Sequence, residues 1–388
     1  MTNQAATRRP RVCVVSTTPQ NINAFFCGHL SELSKVADVV LALNPATDPH
    51  TPRLNLPASL APIGIRRQIS IWHDLMTLLQ LLRLFRRERF DLVWAVAPKA
   101  GLLGMLAAWL TRVPKRVFIF QGEVWAARQG LNRKILKQTD RITARVATHL
   151  LGVSVSGRSF LEAERIVEVG RIEVLASGSV CGVDLQKFIP DVSARQRIRI
   201  QHDIPADAVV ALFVGRLTRD KGIYDLVEAF RNLAPTSPHL WLMVLGPDEE
   251  GLAPQLLSAL GPLSKRCRII EFKPDPECYM AAADFVCLPS YREGFGMVII
   301  ESGATGVPSI ASRIHGLTDA LEEGMTGLMH EPGDVAGLSE CIRHFAADAE
   351  LRMRMGRAAQ QRSCERFSAA HVRAAFAGYF RKLLEAQV

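Results

Sequence analysis

Short, almost wholly apolar runs alternate along the chain with longer stretches whose apolar residues recur every three to four positions. Runs of the first kind fall at 11–16, 38–44, 91–97, 116–120 and 171–175. In the second half they fall at 208–214, 240–245, 268–272, 283–288, 308–311 and 327–329. Such runs leave no face for water and predict strands buried on both sides. Helical spacing falls at 25–36, 69–89, from about 131, 296–305, 338–347, 350–364 and 369–386. In 69–89 the apolar stripe is Leu75, Leu78, Leu79, Leu82 and Phe85. Strand and helix alternate through both halves, which predicts an α/β chain with doubly wound parallel sheets. The polar segment 191–206, with Pro190 and Pro205 near its ends, predicts a linker. The expected domains are therefore 1–188 and 189–369.

The 388 residues suffice for two cores, and 48% hydrophobic with 22% charged residues is an ordinary globular balance. The eight cysteines have no C-x-x-C spacing, so neither a zinc site nor a disulfide scaffold is expected, and a reducing cytoplasm fits. The longest apolar run, 100–110, falls short of the ~20 residues a spanning helix needs. No apolar stretch near the N-terminus has signal-peptide length.

Charge changes the picture more. The net charge is +9, but residues 1–188 hold 25 Lys and Arg against 13 Asp and Glu, while 189–388 hold 22 against 25. Arg83, Arg86, Arg87 and Arg89 crowd the end of one helix. Arg133, Lys137, Arg141 and Arg145 recur at i,i+4 along another, with Lys134 beside them and Ile135, Ile142 and Val146 on the other side. A basic half next to a near-neutral half predicts that the first meets an anionic surface, such as a membrane or a lipid pyrophosphate. Lys99 opens a helix at the C-terminal end of a strand, where α/β sheets place their ligands.

The most informative stretch is Pro289-Ser290-Tyr291-Arg292-Glu293-Gly294-Phe295-Gly296-Met297-Val298-Ile299-Ile300-Glu301. A strand precedes it and a helix follows. Glu293 lies in the loop, and Glu301 lies about two turns into the helix. The backbone donors of Gly294, Phe295 and Gly296 open at a helix N-terminus, which favours an anion such as phosphate. Earlier, Gly215-Arg216-Leu217-Thr218-Arg219-Asp220-Lys221-Gly222 brings three cations to the start of another helix.

This constellation resembles the Glu-x7-Glu signature of the family-four retaining glycosyltransferases. The match continues through 301–308 and on to Asp334. The resemblance implies the GT-B fold, two Rossmann-like domains facing each other across a cleft, with a final helix at about 370–388 packing back on the first domain. It implies that Arg216 and Lys221 grip the diphosphate of a nucleotide sugar and that Glu301 holds the ribose. Glu293 would lie beside the sugar, and the chain near Gly246, Phe272 and Lys273 would approach the nucleotide. With the backbone at Gly294, Phe295, Gly296 and Met297, these form the expected donor site. Catalytic roles fall to Glu293, Gln121, Arg216 and Lys221.

Relatives commonly carry His before the glycine matching Gly122, where this chain has Gln121. Gln hydrogen-bonds but cannot titrate. No Asp-x-Asp motif occurs, so no metal and no cofactor is expected. The segment 98–104 looks like the branch working on polyprenyl-diphosphate-linked saccharides in surface-polysaccharide assembly. The expected donor is a UDP-sugar, and the expected location is cytoplasmic, peripheral on the inner membrane face. Lys99, Arg133, Lys137, Arg141 and Arg145 are the expected acceptor or membrane surface, and no nucleic-acid motif is present. Two other readings remain open: a transferase for a small soluble acceptor, and a non-catalytic nucleotide-sugar-binding protein.

Overall fold

The computed structural model describes residues 8–45, 57–66, 68 and 70–386. The chain divides into two units, residues 1–181 with 371–388, and residues 182–370.

In the first unit the strands are β1 (Arg11–Val15), β2 (Asp38–Leu43), β3 (Ser59–Pro62), β4 (Leu92–Val96), β5 (Lys115–Phe120), β6 (His149–Gly152) and β7 (Ile172–Val174). They form a parallel sheet in the order β3-β2-β1-β4-β5-β6-β7. The apolar runs become central strands because both faces are covered: every residue of β4 is buried. The helices are α1 (Pro19–Asn21), α2 (Cys27–Ser34), α3 (Ile71–Glu88), α4 (Pro98–Leu110), α5 (Gly130–Val146) and α6 (Val155–Ala163). The strands β3 and β6 and helix α6 are additions to the sequence reading.

In the second unit, β8 (Val209–Val214), β9 (Leu240–Leu245), β10 (Cys267–Ile270), β11 (Phe285–Leu288), β12 (Ser309–Ser312) and β13 (Gly327–His330) form a parallel sheet. The order is β10-β9-β8-β11-β12-β13. Helices α7 (Val192–Gln201), α8 (Ile223–Leu233), α9 (Ala253–Leu260), α10 (Pro276–Ala282), α11 (Met297–Ala304), α12 (Leu317–Ala320), α13 (Val335–Ala347) and α14 (Ala349–Phe367) complete it. Helix α15 (Ala369–Glu385) belongs to the first unit from His371 onward. There Phe376 stacks on His29 at 4.3 Å, and Phe380 lies 4.8 Å from Trp94.

Three expectations change. The segment read as a linker is helix α7, capped by the Asp191 carboxylate on the Ala194 amide at 2.9 Å. It is held because Arg195 and Arg199 both reach Asp284, at 2.8 and 2.7 Å. Those partners lie almost ninety positions away and leave no local signal. The units also divide seven residues earlier than expected, after Cys181. Val183 donates to Phe367 O at 2.7 Å, and Ala369 donates to Val183 O at 2.8 Å, tying this segment into the second unit. Finally, α3 does not bury its whole leucine stripe. Thr77, Leu81, Leu84 and Phe85 face the core, whereas Leu75 and Leu79 are exposed.

Candidate active site

An open parallel sheet places ligands beyond the C-terminal ends of its strands, where the strand order reverses. In the second unit that point lies between β8 and β11. The loops leaving these two strands, 215–222 and 289–296, are the two the motifs single out.

They are stitched together. Gly222 has φ 69°, and a Cβ there would fall 1.9 Å from Pro289 O, so only glycine lets the backbones approach this closely. Tyr291 N donates to Asp220 O at 2.9 Å, and Arg292 pairs with the Asp220 carboxylate at 2.9 Å. The Lys221 ammonium donates to Glu293 Oε1 at 2.5 Å, and Ser290 Oγ donates to the same oxygen at 2.9 Å. Lys221 and Glu293, picked out separately in the sequence, are thus direct partners, both mostly buried. Arg216 is more exposed and pairs with Glu249 at 2.8 Å. Asp220, Arg292, Ser290 and Glu249 are neighbours that sequence reasoning missed. The acidic run 248–250 was the one visible hint of Glu249.

Helix α11 follows. Its N-cap is Gly296, left-handed at φ 72°, and glycine offers no side-chain cap. The backbone at this helix start is consistent with an anion site. The Phe295 side chain is core, 2% exposed and packed edge-on to Phe367 at 5.3 Å. Only its main chain can serve the site. Met297 opens the helix and is half-buried.

Glu301 is the most informative group. Its carboxyl accepts no hydrogen bond from any described residue. Burial pushes it up to about 7; Lys187 pulls the other way, and Glu277 adds to the rise. Lys187 itself pairs with Glu277 at 3.2 Å. A carboxyl held without partners keeps its acceptor capacity for a ligand carrying hydroxyls. On the other side of β8, Gly246 follows β9, its amide donating to Ile270 O at 3.0 Å. Phe272, 68% exposed, and Lys273, also exposed, follow β10. Phe272 is an open aromatic surface on which a base can stack.

In the first unit the reversal lies between β1 and β4, and Gln121 leaves the next strand, β5. Its Nε2 is buried with no hydrogen-bond partner among the described residues. Lys99 is not a free cation: it pairs with Asp74 at 2.6 Å and donates to Gln68 O at 2.5 Å.

The basic stripe on α5 is largely engaged within its own unit. Arg133 pairs with Glu164 at 2.8 Å, and Lys137 contacts the same carboxylate. These contacts hold the Glu164 carboxyl below its usual range, the Lys137 hydrogen bond first. Both cations lie over the Trp125 ring, at 5.4 and 5.2 Å, and Phe160 stacks on the same ring at 5.3 Å. Arg141 donates to the carbonyls of Arg165 and Glu164. These three residues bind α5 to its own unit, and only Arg145 of the four is exposed. The other side of the helix carries exposed Ile135 and Ile142, with Leu131 exposed at its start.

Two doubly wound α/β units, each with a parallel sheet, have the architecture of the GT-B transferases. Known proteins make the class specific. The family model described as "Glycosyl transferases group 1" matches residues 194–362, and "Glycosyl transferase 4-like domain" matches 29–178. Together they span most of the chain, which belongs to the family-four-like glycosyltransferases. It is 29% identical over 307 residues to the capsular polysaccharide biosynthesis glycosyltransferase CapM of Staphylococcus aureus, covering 79% of this chain and 80% of that protein. It is 27% identical over 295 residues to the UDP-Gal:alpha-D-GlcNAc-diphosphoundecaprenol alpha-1,3-galactosyltransferase of Escherichia coli, covering 74% of each. Anabaena Alr3699/HepE, solved with UDP-glucose, superposes with a TM-score of 0.78 at 19% identity, over 96% of this chain and 99% of that one. No described helix is long and apolar enough to cross a membrane.

Proposed function

We propose that this glycosyltransferase transfers a sugar from a UDP-sugar to a polyprenyl-diphosphate-linked saccharide during surface-polysaccharide assembly, with retention of configuration and without a metal. The observation that carries the donor half is Glu301, a carboxyl without a hydrogen-bond partner among the described residues and raised to about 7, on the helix that follows the loop of Glu293. The names of the staphylococcal and Escherichia coli relatives support the acceptor half, the second stating both a UDP-sugar donor and a lipid diphosphate acceptor.

In this reading Glu301 accepts both ribose hydroxyls, and Phe272 carries the base. Arg216 and Lys221 leave Glu249 and Glu293 for the diphosphate oxygens. The bond from the anomeric carbon to the phosphate oxygen breaks, and charge accumulates on the diphosphate, where the two cations meet it. The acceptor oxygen bonds to the same face of the sugar, and its proton passes to the departing phosphate oxygen. Glu293, released from Lys221, orients the sugar hydroxyls and opposes positive charge at the ring. Gln121 contributes an amide donor that no described residue uses.

The test is a panel of nucleotide sugars, first for binding by calorimetry and then for transfer to polyprenyl-diphosphate-linked saccharides. The product anomer is read by NMR. A UDP-sugar should bind, and its anomeric configuration should persist in the product. Inversion overturns the retaining mechanism, and tight donor binding without transfer to any acceptor overturns the enzyme assignment.

A further inference from the structure

Helix α4 packs against both α3 and α5, so the three form one layer on the first sheet. Ten of the thirteen exposed large hydrophobic residues of this unit, among those described, lie on these three helices. On α3 they are Ile71, Trp72, Leu75, Met76 and Leu79; Trp72 is 77% and Met76 62% exposed. The spacing from Trp72 through Leu75, Met76 and Leu79 follows one helical face, which continues into exposed Arg83, Arg86 and Arg87. Trp109 and Leu110 end α4 in the open, and α5 adds Leu131, Ile135 and Ile142, with Lys134 and Arg145 exposed beside them. An apolar surface this clustered marks an interaction site.

We infer that this three-helix face docks on an anionic lipid bilayer, with its apolar side chains at headgroup depth and its cations on the lipid phosphates. This rests on the lipid-linked-acceptor reading and moves the docking surface from the Arg133–Arg141 stripe to the face beside it. The charges select the partner. Arg83, Arg86, Lys134 and Arg145 make no ion pair among the described residues, whereas the acidic groups of α3 are engaged. Asp74 pairs with Lys99, and Glu88 pairs with Arg11 and Arg87. A second copy of the chain, meeting this face about a two-fold axis, would set cations against cations. An anionic bilayer accepts both components, and tryptophan suits its interface because one end of the ring is apolar and the other polar.

The experiment floats the full chain with vesicles of phosphatidylcholine containing phosphatidylglycerol, and with phosphatidylcholine alone. The native protein should float with the first and far less with the second. Trp72→Ser with Met76→Ser, and separately Arg83→Glu with Arg86→Glu, should each lower partitioning about tenfold or more. All of these positions are exposed, and unchanged thermal melting confirms folding. Brominated lipid should quench fluorescence in the native protein and much less in Trp72→Phe with Trp109→Phe, since Trp94 and Trp125 are buried and Trp241 lies in the second unit under Arg268. Unchanged flotation in both paired variants overturns the inference. So does a dimer in sedimentation that the Trp72 and Met76 changes dissociate without affecting vesicles. UDP affinity is measured in parallel: its absence would sink the transferase reading while leaving the docking result standing, and the reverse also holds.

Discussion

The ammonium of Lys221 lies 2.5 Å from Glu293 Oε1, and both side chains are mostly buried. The cation assigned to the leaving diphosphate and the carboxylate assigned to the sugar therefore neutralise each other before donor arrives. Neither is left as an uncompensated buried charge. Glu301 has no such partner. The two glutamates should consequently fail in different ways.

Glu293→Gln should leave UDP affinity unchanged or tighter, because Lys221 no longer has to leave a carboxylate to meet phosphate. Single-turnover rates should still fall by about tenfold or more, as expected for a contact that matters most in the transition state. Glu301→Gln should instead weaken UDP and UDP-sugar alike by about 1.5–3 kcal/mol, the range for a hydrogen bond to a charged group. Calorimetry on both variants separates them. Equal loss of UDP binding in the two would show that Glu293 is misassigned.

Ribose binding should expel a proton from Glu301. The free carboxyl titrates near 7, and accepting two hydroxyl hydrogen bonds favours its ionised form. UDP affinity should therefore rise between about pH 5 and 7 and then level off. The phosphates of UDP also titrate there, so the diagnostic quantity is the difference between native protein and Glu301→Gln. Calorimetry in buffers of different ionisation enthalpy should show extra proton release only in the native chain.

A second pH effect concerns stability. Burial raises Asp140 from the ordinary carboxylate range to about 7; its hydrogen bond from Trp125, 2.7 Å, opposes the rise, and Glu123 adds to it. Below about pH 4 the group is protonated in both folded and unfolded chains. Between about pH 4 and 7 the unfolded chain loses this proton and the folded chain keeps it, so stability falls as pH rises. Above about 7 the effect is flat. Asp140→Asn keeps an acceptor for Trp125 and should flatten that slope in denaturation curves taken across the window.

Gly222→Ala should damage both loops at once. The added Cβ meets Pro289 O at 1.9 Å, and the left-handed backbone resists any side chain. UDP binding should fall by about tenfold or more, with a lowered melting temperature. Unchanged binding would show that the two loops act independently.

Replacing Arg133 and Lys137 by Glu should destabilise the first unit and not release it from vesicles. Each cation loses a carboxylate partner and a place over the Trp125 ring, worth about 1 kcal/mol apiece at such partly exposed sites. The melting temperature should drop and Trp125 emission should shift to the red. Loss of vesicle binding with normal melting would restore this stripe as the docking surface.

Chelation tests the metal-free mechanism directly. Turnover should survive exhaustive chelation, with Arg216 and Lys221 countering the diphosphate charge. Complete loss, restored by magnesium or manganese, would overturn it.

The doubly wound architecture was legible because strands buried on both faces must be apolar throughout, and β4, β9 and β11 announce themselves that way. The loops carrying Arg216, Lys221 and Glu293, and the start of the helix carrying Glu301, were legible for a local reason as well: tight turns and helix starts need glycine, and glycine leaves a readable mark. What one-dimensional spacing could not supply was which partner each charge meets. Helical periodicity gives the face of a helix but not what covers it. Leu75 and Leu79 belong to the apolar stripe of their helix yet stand in the open, and Arg133 and Lys137 read as surface yet close over Trp125. Helix α7 read as linker because Asp284, which holds its arginines, is far along the chain. Elements follow from local sequence, where neighbours set backbone and burial. Ion pairs and exposed faces depend on residues tens of positions apart, and only the tertiary structure brings those together.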